Sequence, residues 1–491
     1  MKRIFFSLQA LVILLGAAGC HDSLLNMRPE SILTNDQFYR TSSDMNRAVV
    51  GVYSALQARR MTDYITMEIP SDNIYYFGIT PVQGASDIDG FSVTPDNQLL
   101  DAFWLNNYKG IFRANEVLKY IDRPIDYTGT AKDQYIGEAK FLRAQFYFDL
   151  VRAFGGVPLV TTALTMDEAR GVGRSSADEV YNLIIADLKD AIEKLPMPGS
   201  MQKGRTSKGA ATALLGKVYI YKKDYPNAKT VLDKAVADFG YDLTTDFSTL
   251  WNTTTEDNSE IVFAMKYVES LNSQTYSSAF IPNGGVFGLV DRGTEKIRPS
   301  WSLNKLYIAG DKRKANTIND TLITPTTPGT KTFYPYGVKF AAKHLLDNSG
   351  QDIPVMRFAD VLLLHAEALY NSNDKAGALI ALNRVRQRAF GDASHNYTAA
   401  DIAAPADFLD KLLLERQLEL AFEGDRWFDL VRTGKFLTVM TKEERLYVPA
   451  NNAAQTVTLT PKDYMAVFPI PQPQIDQYAA GVLTQNEGYN K

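Results

Sequence analysis

One cysteine and four histidines in 491 residues leave several classes of chemistry without material. Cys20 has no second thiol to pair with, so an intramolecular disulfide framework is excluded. So few histidines speak against a His-rich metal site and against a His-dependent catalytic triad. No HExxH, P-loop, GxSxG or CxxC pattern follows the leader, which removes the usual signatures of zinc hydrolases, nucleotide enzymes, serine hydrolases and thiol redox proteins. Beyond the first twenty residues no apolar run approaches the ~18 residues of a membrane-spanning helix. A formal net charge of −4 without a clustered basic face gives no footprint for nucleic acid. Asp87-Ile88-Asp89-Gly90 offers oxygen ligands but lacks the third acid and the terminal Glu of an EF-hand loop. Neither a cofactor nor a metal is therefore expected.

What is present begins at the N-terminus. Lys2-Arg3, an apolar run over 4–15 and the small residues Gly16-Ala17-Ala18-Gly19 have the layout of a secretory signal peptide. The run is too short to cross a bilayer, which needs ~20 apolar residues. Small residues directly before Cys20 resemble the lipobox of bacterial lipoproteins, in which that cysteine becomes the lipidated N-terminus. The expected organisation is a signal peptide over 1–19, a lipidated tether over 20–33 and a folded body over 34–491. About 470 mature residues exceed what one core normally supports, so lobes or a helical array are expected.

Amphipathic helices dominate the first part of the body. Residues 36–57, 102–121 and 135–154 carry apolar side chains near the i, i+3, i+4, i+7 spacing, and Gly155-Gly156 with Pro158 ends the last of these. Ser176-Ala177-Asp178-Glu179 is a capping box that starts another helix. The chain also repeats itself. The stretch from Ala213 to Tyr221, followed by Asp224 and Ala228, lines up with that from Leu363 to Tyr370, followed by Asp374 and Ala378. Each copy reads as a helix, a short polar turn and a second helix with spaced small residues, as in tetratricopeptide-like hairpins. The copies lie about 150 residues apart, which predicts dispersed hairpins and not a tandem array.

Residues 61–100 and 241–355 depart from this pattern and are rich in Gly, Pro, Asn, Asp and Thr, with a strand-like patch at Ile261-Val262-Phe263-Ala264-Met265. Long irregular segments of this kind usually carry function, so recognition is expected there and scaffolding in the helices. Their aromatic residues include Tyr75, Tyr76, Tyr276, Phe280, Phe287 and Trp301. A flat ring gives the C–H face of a sugar a large apolar contact, and neighbouring Asp72 and Asn73 could bond its hydroxyls. Trp104 has two readings: it adjoins the first irregular segment, yet its Trp-x3-Tyr spacing also sets it on a packing face, and packing is the expected one. Glu415 and Glu419, one helical turn apart, invite comparison with a glycosidase pair, but Arg416 and the flanking apolar stripe point to a structural ion-pair network.

Several stretches together resemble the SusD/RagB family of surface nutrient-binding lipoproteins. They are Trp104-x3-Tyr108-x2-Ile111-x2-Ala114-Asn115, the block from Gly137 to Leu159 with Arg143, Asp149 and Arg152, and Arg357-Phe358-Ala359-Asp360. Glu415-Arg416-x2-Glu419 through Gly424, Arg426-Trp427, Asp429 and Arg432 follows, and the end carries Pro469-Ile470-Pro471 and Gln485-Asn486-x-Gly488-Tyr489. The resemblance runs from the lipobox to the last residues. It implies a mainly α, tetratricopeptide-like scaffold with a loop-rich ligand region, and a SusC-like TonB-dependent outer-membrane transporter over which the lipoprotein acts as a lid. It also implies an outer-membrane location, lipid-anchored and facing outward. Arg143, Arg416 and Arg432 are expected to pair with carboxylates in the scaffold. The irregular segments show no comparable signature, so no binding residue is carried over from the family. The leading expectation is non-catalytic capture of an oligosaccharide; capture of peptides is the alternative, because part of the family resembles peptide-uptake lipoproteins, and a polysaccharide hydrolase is a weak third.

Overall fold

Several of the long helices are delimited by local signals that the chain spells out. The computed structural model describes residues 38–58, 66–446 and 454–489. Cys20, the signal peptide and the tether lie outside the described residues. Helix α1 is Ser42–Ala58 and α2 is Gln98–Tyr120, whose start is capped by the Asn97 side chain accepting from the amides of Leu99 and Leu100. Helix α3, Ala131–Phe154, stops at Gly155 in the left-handed region (φ 72°), as the glycine pair predicts. Ser176 and Glu179 form the expected reciprocal capping box of α4, Ala177–Lys194.

The two repeats are helical hairpins. Lys208–Tyr221 (α5) and Tyr225–Ala237 (α6) form one, and Phe358–Asn371 (α7) and Lys375–Phe390 (α8) the other. Their turns match residue for residue. Lys223 and Asn373 are both left-handed, and Asp224 and Asp374 both cap the second helix through the amide three residues on. In each, the capping Asp's own amide donates to the carbonyl five residues back, Tyr219 or Leu369. Gly216 faces Leu232 so closely that a Cβ there would lie 2.4 Å from a Leu232 methyl, which explains the small residue in the repeat.

The expectation of dispersed hairpins is corrected in space. Helices α3, α4, α5, α6, α7 and α8 pack each against the next, so the copies are consecutive layers of one stack. The chain between α6 and α7 loops out of it. Pro405–Leu420 (α9) and Arg426–Arg432 (α10) then close the stack from the side of α7 and α8.

The strands are short and paired in twos. Ile74–Tyr76 (β1) pairs antiparallel with Ile297–Pro299 (β3), and Ile261–Met265 (β2), the predicted strand, with Ile353–Arg357 (β6). Ile318–Leu322 (β4) pairs with Thr332–Gly337 (β5), and Lys442–Leu446 (β7) with Ala454–Thr458 (β8). One large apolar core runs through the helices, and a satellite core of Ile281, Val286, Val290, Leu322 and Tyr336 supports the looped-out region.

Buried charges tie the layers together. Arg143 makes a two-pronged pair with Asp187, joining α3 to α4. Arg416 bonds Asp360 and Asp429, and Arg432 bonds Glu367 and Asp429, as expected for arginines on amphipathic scaffold helices. Glu415 and Glu419 are fully buried: Glu415 takes Arg313 and Arg386, and Glu419 takes Arg388, Arg357 and Arg313. Burial alone would raise the Glu419 carboxyl, but these cations outweigh it and hold it at about 2. The structural ion-pair reading of this helix is what the geometry shows.

Candidate functional site

The expected site residues divide sharply between the interior and the surface. Asp72 accepts from both Nε and a terminal nitrogen of Arg426, at 2.7 and 2.9 Å, and from Gln417. The Asn73 amide donates to Glu68 and accepts from Gln417. Burial raises the Glu68 carboxyl to about 7 although Asn73 and the amides of Gly424 and Phe422 all donate to it. Asp72 and Asn73 therefore fasten β1 to the α9–α10 corner and present no free polar group outward, contrary to the expectation that they face a ligand. Asp89, weighed above as a calcium ligand, likewise gives both oxygens to Arg445.

Strand alternation sorts the two tyrosines. Tyr75 points inward and is buried, with the Arg445 guanidinium 5.2 Å from its ring, while Tyr76 stands partly exposed. The Tyr76 hydroxyl accepts from the Val82 amide and so pins the loop that follows. Tyr276 and Phe280 belong to the core and not to a surface: the Tyr276 hydroxyl donates to the Phe422 carbonyl, and Phe280 packs on the Phe422 ring. Trp104 is buried between Tyr108 and Phe154, at 5.0 and 5.2 Å, in keeping with the packing reading.

Phe287 and Trp301 remain with Tyr76 at the surface. Phe287 is 56% exposed at the tip of the satellite core, where its amide donates to Ile323. Trp301 opens a short helix, Trp301–Leu306, whose cap Ser300 accepts from the Leu303 amide and donates to the Asp72 carbonyl. The ring is thereby fixed from below, and it meets Phe333 of β5 edge to face, 6.0 Å apart at 85°. Phe333 is itself exposed.

Neighbouring positions of the same strands, Arg298 of β3 and Tyr334 of β5, belong to a polar knot that sequence reasoning missed. The Arg298 guanidinium sits 3.4 Å from the centroid of the Phe77 ring and 4.4 Å from that of Tyr334. Glu295 accepts from Arg298 and from the Tyr334 hydroxyl with one carboxylate oxygen and from the Asn283 amide with the other. Glu295 is held at φ 45°, a region that a non-glycine residue rarely occupies and that this set of bonds maintains. The charge of Arg298 is matched within the chain by Glu295, and Trp301 with Phe333 remains as a ring pair open to solvent. The run Phe333-Tyr334-Pro335-Tyr336 was the signal available in the sequence for its second half.

Such a pair can hold an uncharged, flat-faced ligand by ring contact. The Glu295 carboxylate is taken up by Arg298, the Tyr334 hydroxyl and the Asn283 amide.

Comparisons with known proteins bear on this arrangement. A family profile described as "SusD family" matches residues 323–489, and one described as "Starch-binding associating with outer membrane" matches residues 27–220. SusD-like protein P38 of Formosa agariphila is 29% identical over 478 residues, covering 88% of this chain and 91% of the relative. Among solved structures, a laminarin binding SusD-like protein superposes with a TM-score of 0.76 at 26% identity, covering 92% of this chain and 100% of its own. Surface glycan-binding protein A from Bacteroides thetaiotaomicron, solved in complex with laminarihexaose, gives a TM-score of 0.74 at 22% identity over 91% of this chain and 99% of that one.

Proposed function

The chain belongs to the SusD/RagB family, and from that premise we propose that it captures an uncharged oligosaccharide at the outer-membrane surface and passes it to a SusC-like TonB-dependent transporter without catalysing a reaction. The observation that carries this reading is the Trp301–Phe333 ring pair open to solvent. Sugar rings match such a pair because their C–H surfaces are apolar. The relative named for laminarin binding makes a neutral glucan the natural first probe. Burial of Glu415 and Glu419 supports the non-catalytic part, since neither carboxylate reaches solvent.

Residues 1–19 act as the signal peptide, and 20–33 form the lipidated tether that keeps the body of 34–491 at the membrane. Acyl chains supply the attachment, and stable retention takes more than one. Isothermal titration with neutral glucans, polyuronides and short peptides tests the ligand class. Binding to at least one neutral glycan is expected, whereas binding to peptides alone would replace this reading with the peptide one. Replacing Cys20 by Ala is expected to move the protein from the membrane fraction to the soluble fraction with its ligand binding intact; wild-type retention would refute the anchor.

A further inference from the structure

Strand β7 is latched to the short helix that carries Trp301. The Glu444 amide donates to the Ser302 hydroxyl at 2.9 Å, and the Glu444 carboxylate takes Lys305, both partners lying on Trp301–Leu306. Alternation along the strand turns Glu443 and Arg445 the other way, into a buried cluster for which glycan capture has so far no use. The cluster joins β7 to Asp89, the last residue of the short helix Ala85–Asp89, and to Asp72 and Arg426 at the root of β1.

Three carboxylates meet two guanidinium groups there. Arg426 takes both oxygens of Asp72, and the terminal nitrogens of Arg445 take both oxygens of Asp89. The remaining nitrogen of Arg445, Nε, donates to one oxygen of Glu443 at 2.7 Å. The other oxygen, Oε1, is buried and has no hydrogen-bond partner among the described residues, and Glu443 as a whole is 1% exposed. Nothing else nearby balances it: β1 contributes the Tyr75 ring, α9 the neutral Gln417 on Asp72, and β8, Ala454–Thr458, no ionisable side chain. Lys305, Lys442 and Glu444 lie on the opposite side of β7. One negative charge is therefore in excess, and it falls on Glu443.

A buried carboxylate with half its charge unpaired costs far more than a buried hydroxyl in the same place. We propose that Glu443 is a proton-binding positioning residue: with its proton it keeps β7 docked and the Trp301 helix fixed, and loss of that proton frees the helix and weakens glycan capture. The effect on capture rests on the glycan reading above; the latch itself does not. Burial, opposed by Arg445 and aided by the Asp89 charge, raises the Glu443 carboxyl to about 8, whereas Asp89, also raised by burial, reaches only about 6. The docked strand thus holds the proton more tightly than a free carboxyl with its ordinary value of 4.5. Undocking releases the proton, so its equilibrium rises about tenfold per pH unit from about 4.5 to about 8 and is level above that. Ser300 on the Asp72 carbonyl and Asn304 on Asp320 still hold the freed helix, which keeps the effect on binding graded.

Hydrogen exchange read by mass spectrometry in peptides spanning 301–306 and 442–446, corrected for the intrinsic pH dependence of exchange, tests the latch. Protection in the wild-type chain is expected to fall about tenfold between pH 6 and pH 7 and to level off above pH 8. Glu443→Gln has the shape of the protonated acid and should show no such slope. Both chains keep Glu68 and Asp89, so comparing them at each pH cancels what those groups contribute. Calorimetric titration with neutral glucans should give a Kd that rises with pH in the wild type, by up to about fivefold at pH 9, the worth of one hydrogen bond, and stays constant in Glu443→Gln. Ser302→Ala, a change on the helix surface, should bind at pH 6 as weakly as the wild type does at pH 9. A slope that is absent or shared by Glu443→Gln, a wild-type Kd that does not move with pH, wild-type binding by Ser302→Ala at pH 6, or a Glu443→Gln chain unfolded at pH 6 would each overturn the proposal. If no glucan binds at any pH, the glycan reading falls and takes the effect on capture with it, while the exchange slopes still decide whether a proton on Glu443 holds β7.

Discussion

Replacing Trp301 by Ala is the most direct challenge to the glycan face. A fully covered aromatic side chain hides ~150–250 Å². Trp301 is already half-buried, so roughly 80 Å² remains for a ligand to cover. At ~25 cal/mol per Å² this contact contributes ~2 kcal/mol, or about thirtyfold in Kd. The same substitution removes the buried part of the ring, ~2 kcal/mol by the same measure, and the edge contact with Phe333, about 1 kcal/mol, a total of ~3 kcal/mol that lowers Tm by only a few degrees in a chain of this size. Calorimetric titration with the tightest neutral glycan, run beside a thermal melt, separates the two effects. Tyr276→Phe is the control: its ring is buried, so Kd should not move. A Trp301→Ala protein that melts normally and binds within twofold of the parent would refute the argument that this ring carries recognition.

Asp72→Ala should destabilise the protein by ~3–5 kcal/mol, because it strands the buried Arg426 guanidinium; urea unfolding checks this, and a loss below 1 kcal/mol would show that the pair is not what fastens β1. Acid should unfold the chain through its inner carboxylates. Burial opposes ionisation of Glu419 and Asp360, yet the arginines and lysine around them hold both carboxyls below their usual range, Glu419 at about 2 against an ordinary 4.5. A depressed folded value favours the native state above the unfolded value and is lost as pH falls through the folded one. Stability should therefore drop between about pH 4.5 and 2, with Glu419 alone contributing about 3 kcal/mol, whereas Glu68, raised to about 7, favours the native state increasingly as pH falls from 7 to about 5. Equal urea midpoints at pH 5 and pH 2 would contradict this.

Features set by near neighbours in the chain were legible beforehand. The Ser176–Glu179 box, the stop at Gly155, the strand over Ile261–Met265 and the paired hairpin turns all rest on residues within a few positions of one another. The site was legible only in part, because the partners that decide it are remote. Asp72 and Asn73 looked like ligand groups beside two tyrosines, but Arg426 and Gln417 claim them from about 350 residues away. No local pattern reports such a partner. Tyr75 and Tyr76 are adjacent and chemically equal, and only the register of β1 on β3 decides which faces out. Phe333 and Tyr334 lay in a segment already marked for recognition, and their juxtaposition with Trp301 and Phe77 depends on β5 folding onto β3.

The pairing of β2 with β6 gives the helical stack an interchangeable part. Residues 266–352, which carry Phe287, Arg298, Trp301 and Phe333, leave and re-enter through two strands bonded to each other directly ahead of α7. The ends of this insert are already held together, and Tyr276, Arg313 and Lys339 within it reach back to the α9–α10 corner as further anchors. Between such anchors the chain has latitude, because doubling the length of a loop costs only about 0.6 kcal/mol in closure entropy. The stretches that carry Phe287 and Phe333 can in this way be exchanged while the helices beneath keep their layers, provided that the buried partners of Glu415 and Glu419 stay in place.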